Sequence, residues 1–124
     1  MARILVVGAA GRGRELESSG HVVEEAKSAD PNRLATVTPL LEGVTVVCWL
    51  FGESGAEPLH GDRLESLVEY LVDTPVRGLV YERSSAHPRG EQVVARAREK
   101  FRIPCVVVSP GDDLREAVGR VLGA

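Results

Sequence analysis

The feature that most constrains the fold is an apolar segment near the start of the chain that runs directly into a glycine-rich turn. Residues 4–7 read Ile-Leu-Val-Val, the continuous apolar run that a strand buried on both faces requires. Gly8, Gly11 and Gly13 follow at once. Glycines in such a turn let backbone N–H groups approach a phosphate at the start of the next helix. The chain is therefore expected to begin with a strand, a tight turn and a helix.

The rest of the chain repeats this alternation of strand and helix. Short valine-rich runs alternate with segments of helical period, which is the pattern of βα units in an α/β fold with a parallel sheet. Because crossovers between parallel strands are right-handed, helices are expected on both faces of the sheet. The predicted strands are Arg3 to Val7, His21 to Glu24, Val44 to Leu50, Arg77 to Glu82 and Pro104 to Ser109.

Three predicted helices carry a clear apolar stripe. In the segment Asp62 to Val72, apolar residues recur at the three- and four-residue intervals of a core-facing helix. The segments Gly90 to Phe101 and Asp112 to Leu122 show the same pattern. All three are expected to pack on the sheet.

Two further helices are predicted to be short. Asp30 and Pro31 suit an N-cap and a first helical residue, and Pro39 should end the helix that they open. The segment Arg12 to Ser19 offers only Leu16 as an apolar contact, so about two turns of helix are expected there.

Length and charge restrict the class of protein. The 124 residues are expected to form one domain over positions 1–124, with 44% hydrophobic residues and a formal net charge of −3. That balance disfavours nucleic-acid binding. No apolar run approaches the ~20 residues of a membrane span, and the expected location is the cytoplasm. Cys48 and Cys105 lie in apolar runs and are expected to be buried, reduced thiols rather than nucleophiles.

Five segments of the chain carry a resemblance to a known family: Ile4 to Gly11, Gly20 to Val23, Leu41 to Gly52, Val76 to Ser85 and Ile103 to Pro110. Together they resemble NAD-dependent epimerase/dehydratase proteins, which are extended and atypical short-chain dehydrogenase/reductases. The resemblance implies a three-layer, Rossmann-like domain that binds NAD or NADP. One βα unit of that family has no counterpart, which leaves about five strands in the expected order 2-1-3-4-5.

The chain departs from that family at the turn and at the catalytic pair. The third glycine of the family's Gly-x-x-Gly-x-x-Gly pattern would fall at Arg14, and Gly13 lies one residue early. The family's Tyr-x-x-x-Lys pair is also missing, because neither Tyr70 nor Tyr81 is followed by lysine four residues on. The family's own catalysis is therefore not expected, and the turn is interpreted as a damaged or repurposed phosphate site.

Ligands of open parallel sheets bind beyond the carboxyl ends of the strands, where the strand order reverses. Arg12 and Arg14 lie where they could meet a phosphate, although both also suit a solvated helix. Glu24 and Glu25 stand at the position of the family's ribose-binding acid and would repel the 2′-phosphate of NADP, so the choice of nucleotide stays open. The candidate cofactor-binding residues are Gly8, Ala9, Ala10, Gly11, Arg12, Gly13, Leu50, Phe51, Gly52 and Ser84.

The turn-rich segment at residues 53–61 rises from the same edge and is interpreted either as a lid or as a plain connection. His21, His60 and His87 are scattered, without a partner at a metal-binding interval, so no metal site is predicted.

Two functional hypotheses remain. The first is a nucleotide-binding module for NAD, NADP or another phosphate-bearing small molecule. The second is a ligand-free structural or interaction protein that retains the fold. Such a protein could form a homodimer through the segments Asp62 to Val72 and Gly90 to Phe101, which resemble the dimer helices of the family.

Overall fold

The computed structural model describes residues 2–8, 11–26, 29–54 and 56–123, except for the side chain of Ser54. Within these residues, five parallel strands form one sheet in the order β2-β1-β3-β4-β5. Both the α/β class and the strand order confirm the prediction from the sequence, and the architecture is Rossmann-like. The strands are β1 (Arg3–Val7), β2 (Val22–Glu25), β3 (Val46–Leu50), β4 (Gly78–Glu82) and β5 (Cys105–Val108).

Six α-helices connect or follow the strands within the described residues. They are α1 (Gly13–Glu17), α2 (Leu34–Val37), α3 (Glu57–His60), α4 (Asp62–Leu71), α5 (Arg89–Lys100) and α6 (Leu114–Leu122). Two short 3₁₀ turns, Thr38–Leu41 and Gly52–Ser54, complete the connections. None of the described helices has the length and apolarity needed to cross a bilayer.

The sheet divides the hydrophobic core into two layers. One layer packs α4 and α5 against the sheet face that carries Trp49 and Tyr81. The other packs α1 and α6 against the opposite face, which carries Cys48 and Val80. Residues 4–7 of β1, 46–50 of β3 and 79–81 of β4 are buried on both faces of the sheet, which explains why these runs are apolar.

The short N-terminal helix follows its sequence pattern. Helix α1 buries Leu16 completely, as expected of its one apolar contact. The chain then leaves the helix at Gly20, whose φ of +88° is a conformation that glycine adopts without steric cost.

The predicted start of the second short helix is wrong. The carboxylate of Asp30 accepts the backbone N–H of Asn32 (3.0 Å), which is a local turn rather than a helix cap. Helix α2 begins only at Leu34, and the chain passes into a 3₁₀ turn at Thr38, one residue before Pro39. The predicted interruption at Pro39 is therefore confirmed, whereas the N-cap at Asp30 is not.

Candidate functional site

The glycine turn brings the carboxyl ends of β1 and β3 into close contact. Gly8 has a φ of +110°, and a Cβ there would lie 2.6 Å from the carbonyl oxygen of Leu50. A side chain is thus excluded at Gly8 by packing alone. Gly11 also has a positive φ, +86°, but no described atom lies within 4 Å of a Cβ built there. The turn is therefore closed beside Gly8 and open beside Gly11.

Gly13 has the packing role that the family resemblance would give to a glycine at position 14. A Cβ at Gly13 would lie 2.8 Å from Cγ1 of Val23, so the missing side chain lets α1 approach β2. Arg14 is exposed, and its side chain does not interfere with that approach. The shift of this glycine by one residue therefore leaves the close contact between α1 and β2 intact.

A carboxylate at the end of β2 faces the turn. Oε1 of Glu25 accepts a hydrogen bond from the backbone N–H of Gly11, with an N–O distance of 2.7 Å. Its neighbour Glu24 points outward and is exposed. Glu25, not Glu24, is therefore the acid that belongs to the site.

Arg12 crosses the carboxyl edge of the sheet. Its guanidinium donates from Nε to Glu15 (2.9 Å), from Nη1 to Oε2 of Glu82 (3.1 Å) and from Nη2 to the carbonyl of Asp112 (3.1 Å). Burial alone would lower the pKa of Arg12, but the bonds to the two carboxylates outweigh it and raise that pKa. Arg12 is thus a fixed cation at the edge, whereas Arg14 has no such contacts among the described residues.

The carboxyl ends of β3 and β4 are equally close to each other. Glu82 is only 5% exposed, and a Cβ at Gly52 would lie 2.6 Å from its Oε1. Gly52 adopts a φ of +50° to follow this path. The Glu82 carboxylate is therefore enclosed between Gly52 and the Arg12 guanidinium.

Two serines after β4 have different roles. The hydroxyl of Ser84 is buried and accepts the backbone N–H of Ala86 (3.2 Å), which stabilises a turn. Ser85 donates to Glu53 twice, from its backbone N–H (2.7 Å) and from its hydroxyl (2.8 Å). The backbone bond is the main cause that lowers the pKa of Glu53.

The segment after β3 is anchored to the sheet. Within it, helix α3 was not predicted from the sequence. The indole N–H of Trp49 donates to the carbonyl of Leu59 (2.7 Å), and the ring of the fully buried His60 is hydrogen-bonded through Nδ1 to the Tyr81 hydroxyl. These buried contacts favour a plain connection over a lid.

The ring of the buried His60 contacts two other aromatic rings. Its ring stacks on His87 with centroids 5.3 Å apart, and it meets Tyr81 edge-on. Burial lowers the pKa of His60, and the Gly52 backbone opposes this shift only in part. Burial likewise raises the pKa of Tyr81. Both His60 and Tyr81 are therefore neutral near pH 7.

Charged groups also hold the outer side of the same segment. The guanidinium of Arg89, at the start of α5, lies 2.7 Å from Asp62 and 3.7 Å from both Glu57 and Glu65. Segment α3 and the start of α4 are thereby tied to α5.

The remaining candidate residues differ in what they offer a site. The side chain of Leu50 is buried in the core, so that residue offers only its backbone. The ring of Phe51 packs edge-on against Trp49 (5.0 Å) and lies beside the turn, where a Cβ at Gly8 would be 3.0 Å from its Cε1. Ala9 and Ala10 lie outside the described residues. Glu82 and Asp112 were not predicted as site residues, because their contacts with Arg12 span 70 and 100 residues of sequence.

Neither cysteine has the properties of a reactive thiol. Burial raises the pKa of both Cys48 and Cys105 to about 12, so neither is a thiolate near neutral pH. Among the described residues, no group of three or more His, Cys, Asp or Glu could hold a metal ion.

Comparison of the chain with protein-family models, curated proteins and solved structures finds no match. The relationship to epimerase/dehydratase proteins accordingly stays a prediction from the residues.

Proposed function

We propose that this protein binds a nucleotide, of the NAD class or a related one, through its ribose and phosphate at the carboxyl ends of β1 and β2. The observation that carries the proposal is the exposed hydrogen bond between Glu25 and Gly11. It places an oriented carboxylate, at the end of β2, beside the open glycine turn that follows β1. That turn borders the β1/β3 switch point, where sheets of this strand order bind ligands.

Glu25 suits a ribose. Its Oε1 accepts from Gly11, and its Oε2 has no partner among the described residues, so lone pairs remain for the hydroxyls of a ribose. The same negative charge would repel a phosphate on the 2′-oxygen. The proposed nucleotide is therefore unphosphorylated at that position, as NAD is and NADP is not.

Arg12 suits the phosphate. A guanidinium has five N–H donors, and the protein contacts of Arg12 use three of them. Its side chain is 25% exposed, so two donors remain for a ligand at the carboxyl edge of the sheet. A phosphate oxygen could add to this cation without breaking its existing bonds.

The proposal is limited to binding. The hydroxyl of Tyr81 is engaged with His60 inside the core, and Tyr70 lies on the exposed side of α4. Neither tyrosine stands at the edge where the nucleotide would bind. Hydride transfer by the family's tyrosine mechanism is therefore not part of the proposal.

Thermal unfolding in the presence of NAD, NADH, NADP and NADPH tests the proposal. A ligand at one hundred times its Kd stabilises the native state by about 2.7 kcal/mol. Glu25→Gln keeps an acceptor for Gly11 but removes the charge, so NAD should bind about 10–100-fold more weakly, since hydrogen bonds to charged groups contribute roughly 1.5–3 kcal/mol.

Glu24→Gln is the matched control, because it removes the same charge from the neighbouring residue, whose side chain is exposed. It should leave NAD binding unchanged. Equal behaviour of the two variants, or no stabilisation of the parent by any nucleotide at millimolar concentration, would refute the proposal.

The second candidate function is a ligand-free structural or interaction protein. The same hydrogen bond favours it in one respect, because an internal carboxylate already satisfies the Gly11 N–H that a phosphate would otherwise accept from. In that case no nucleotide should bind, and light scattering should detect a stable homodimer or a partner complex.

A further inference from the structure

The carboxyl edge of the sheet, along which a ligand crevice is expected, differs between its β1–β2 half and its β3–β4 half. Arg12 follows β1, whereas its partner Glu82 ends β4, and β3 lies between these two strands. The Arg12 side chain must therefore pass over the end of β3. Its charge also acts on the thiol of Cys48 in β3, where it opposes the rise in pKa that burial causes.

The bridge formed by Arg12 is closely packed. One oxygen of Glu82 bonds to the guanidinium, and the other lies against Gly52 without room for a Cβ. The third contact, with the carbonyl of Asp112, extends the bridge to the loop before α6. The face that carries α1 and α6 is thus spanned from β1 to the end of β5.

A second bridge spans the opposite face. Glu53 belongs to the 3₁₀ turn that leads to α3, and Ser85 belongs to the loop that leads to α5. The two bonds between them join these loops directly. Both faces of the β3–β4 half are therefore bridged by side chains of the protein itself.

The β1–β2 half shows no such bridge among the described residues. A Cβ built at Gly11 would meet no described atom within 4 Å apart from its chain neighbours, and the half-buried Glu25 lies beside the turn. The nucleoside of a bound nucleotide could occupy this half, with its phosphate directed toward Arg12. The second nucleoside of a dinucleotide would have to displace Glu82 or Glu53.

We infer that the site takes one ribonucleoside mono- or diphosphate unit, and that the nicotinamide half of a dinucleotide gains no contacts in the crevice. The inference rests on the proposed function, since it concerns which part of a nucleotide the same site holds. A ligand such as ADP should then bind as well as NAD does.

Calorimetric titration of the full chain with AMP, ADP and NAD tests the inference. The expected Kd of NAD lies within about threefold of the Kd of ADP. Binding of NAD more than about tenfold tighter than ADP, a difference of about 1.4 kcal/mol, would overturn the inference while leaving nucleotide binding intact. Failure of all three ligands to bind would instead remove the proposed function, and the inference with it.

The variant Glu82→Ala removes the carboxylate of the Arg12 bridge and provides a second test of the inference. It should increase the affinity for NAD relative to ADP by about threefold or more, because the second nucleoside no longer meets an enclosed carboxylate. Glu99→Ala, at an exposed position on α5, is the control and should leave the ratio unchanged. If the two variants give the same ratio in folded protein, the bridge does not exclude the second nucleoside, and the inference fails.

Discussion

Removal of the Tyr81 hydroxyl, a single oxygen atom, should markedly lower the free energy of unfolding. The hydroxyl is the hydrogen-bond partner of Nδ1 of His60, and both side chains are completely buried. Tyr81→Phe leaves that ring nitrogen without its partner, which costs roughly 1–3 kcal/mol in the free energy of unfolding. For a chain of this length, about 2 kcal/mol corresponds to a fall in Tm of roughly 6–10 °C.

Tyr70→Phe is the matched control, because Tyr70 is 44% exposed and makes no hydrogen bond among the described residues. Chemical denaturation of both variants measures the difference directly. Hydrogen exchange at Leu59 and His60 should also become faster in Tyr81→Phe, since the hydroxyl helps to hold α3 on the sheet. Equal stability of the two variants, within about 0.5 kcal/mol, would refute the view that this buried bond anchors the segment.

Two further predictions concern pH and packing. Since burial lowers the pKa of His60, the unfolded chain binds its proton more readily, so the free energy of unfolding should fall as the pH drops below about 6.5 and level off above it. Denaturation between pH 5 and 8 should show a smaller slope in His60→Gln, and an unchanged slope would contradict this assignment. Gly13→Ala should lower the free energy of unfolding by about 1 kcal/mol because its Cβ would crowd Val23. In contrast, Gly119→Ala meets no described atom within 4 Å and should raise it by about 0.5–1 kcal/mol; the opposite order would refute the packing role of Gly13.

The fold was accessible from the sequence because its signals are local. Runs of valine, leucine and isoleucine mark the buried parallel strands, and the apolar stripes of α4, α5 and α6 mark helices within one or two residues of their ends. The short elements were less accessible. Asp30 could cap a helix or close a turn, and only the surrounding packing decides between these two outcomes.

The candidate site was accessible only in outline. The glycine turn located the edge of the sheet, but the contact of Arg12 with Glu82 depends on side-chain directions that no spacing rule supplies. The choice of Glu25 over Glu24 follows from strand alternation once the boundaries of β2 are known to one residue. His60 gave no sequence signal, because a lone histidine in a loop resembles any exposed polar residue.

The central claim is that the glycine turn at Gly11, together with the Glu25 carboxylate bonded to it, binds the ribose and phosphate of a nucleotide. An amide NMR titration of isotopically labelled protein with ADP tests it directly, because the Gly11 N–H reports on its own hydrogen bond. The account predicts that the Gly11 signal moves in a saturable manner and that Glu25→Gln weakens this response at least about tenfold, the effect of roughly 1.4 kcal/mol. A Gly11 signal that stays in place at millimolar ADP would contradict the account.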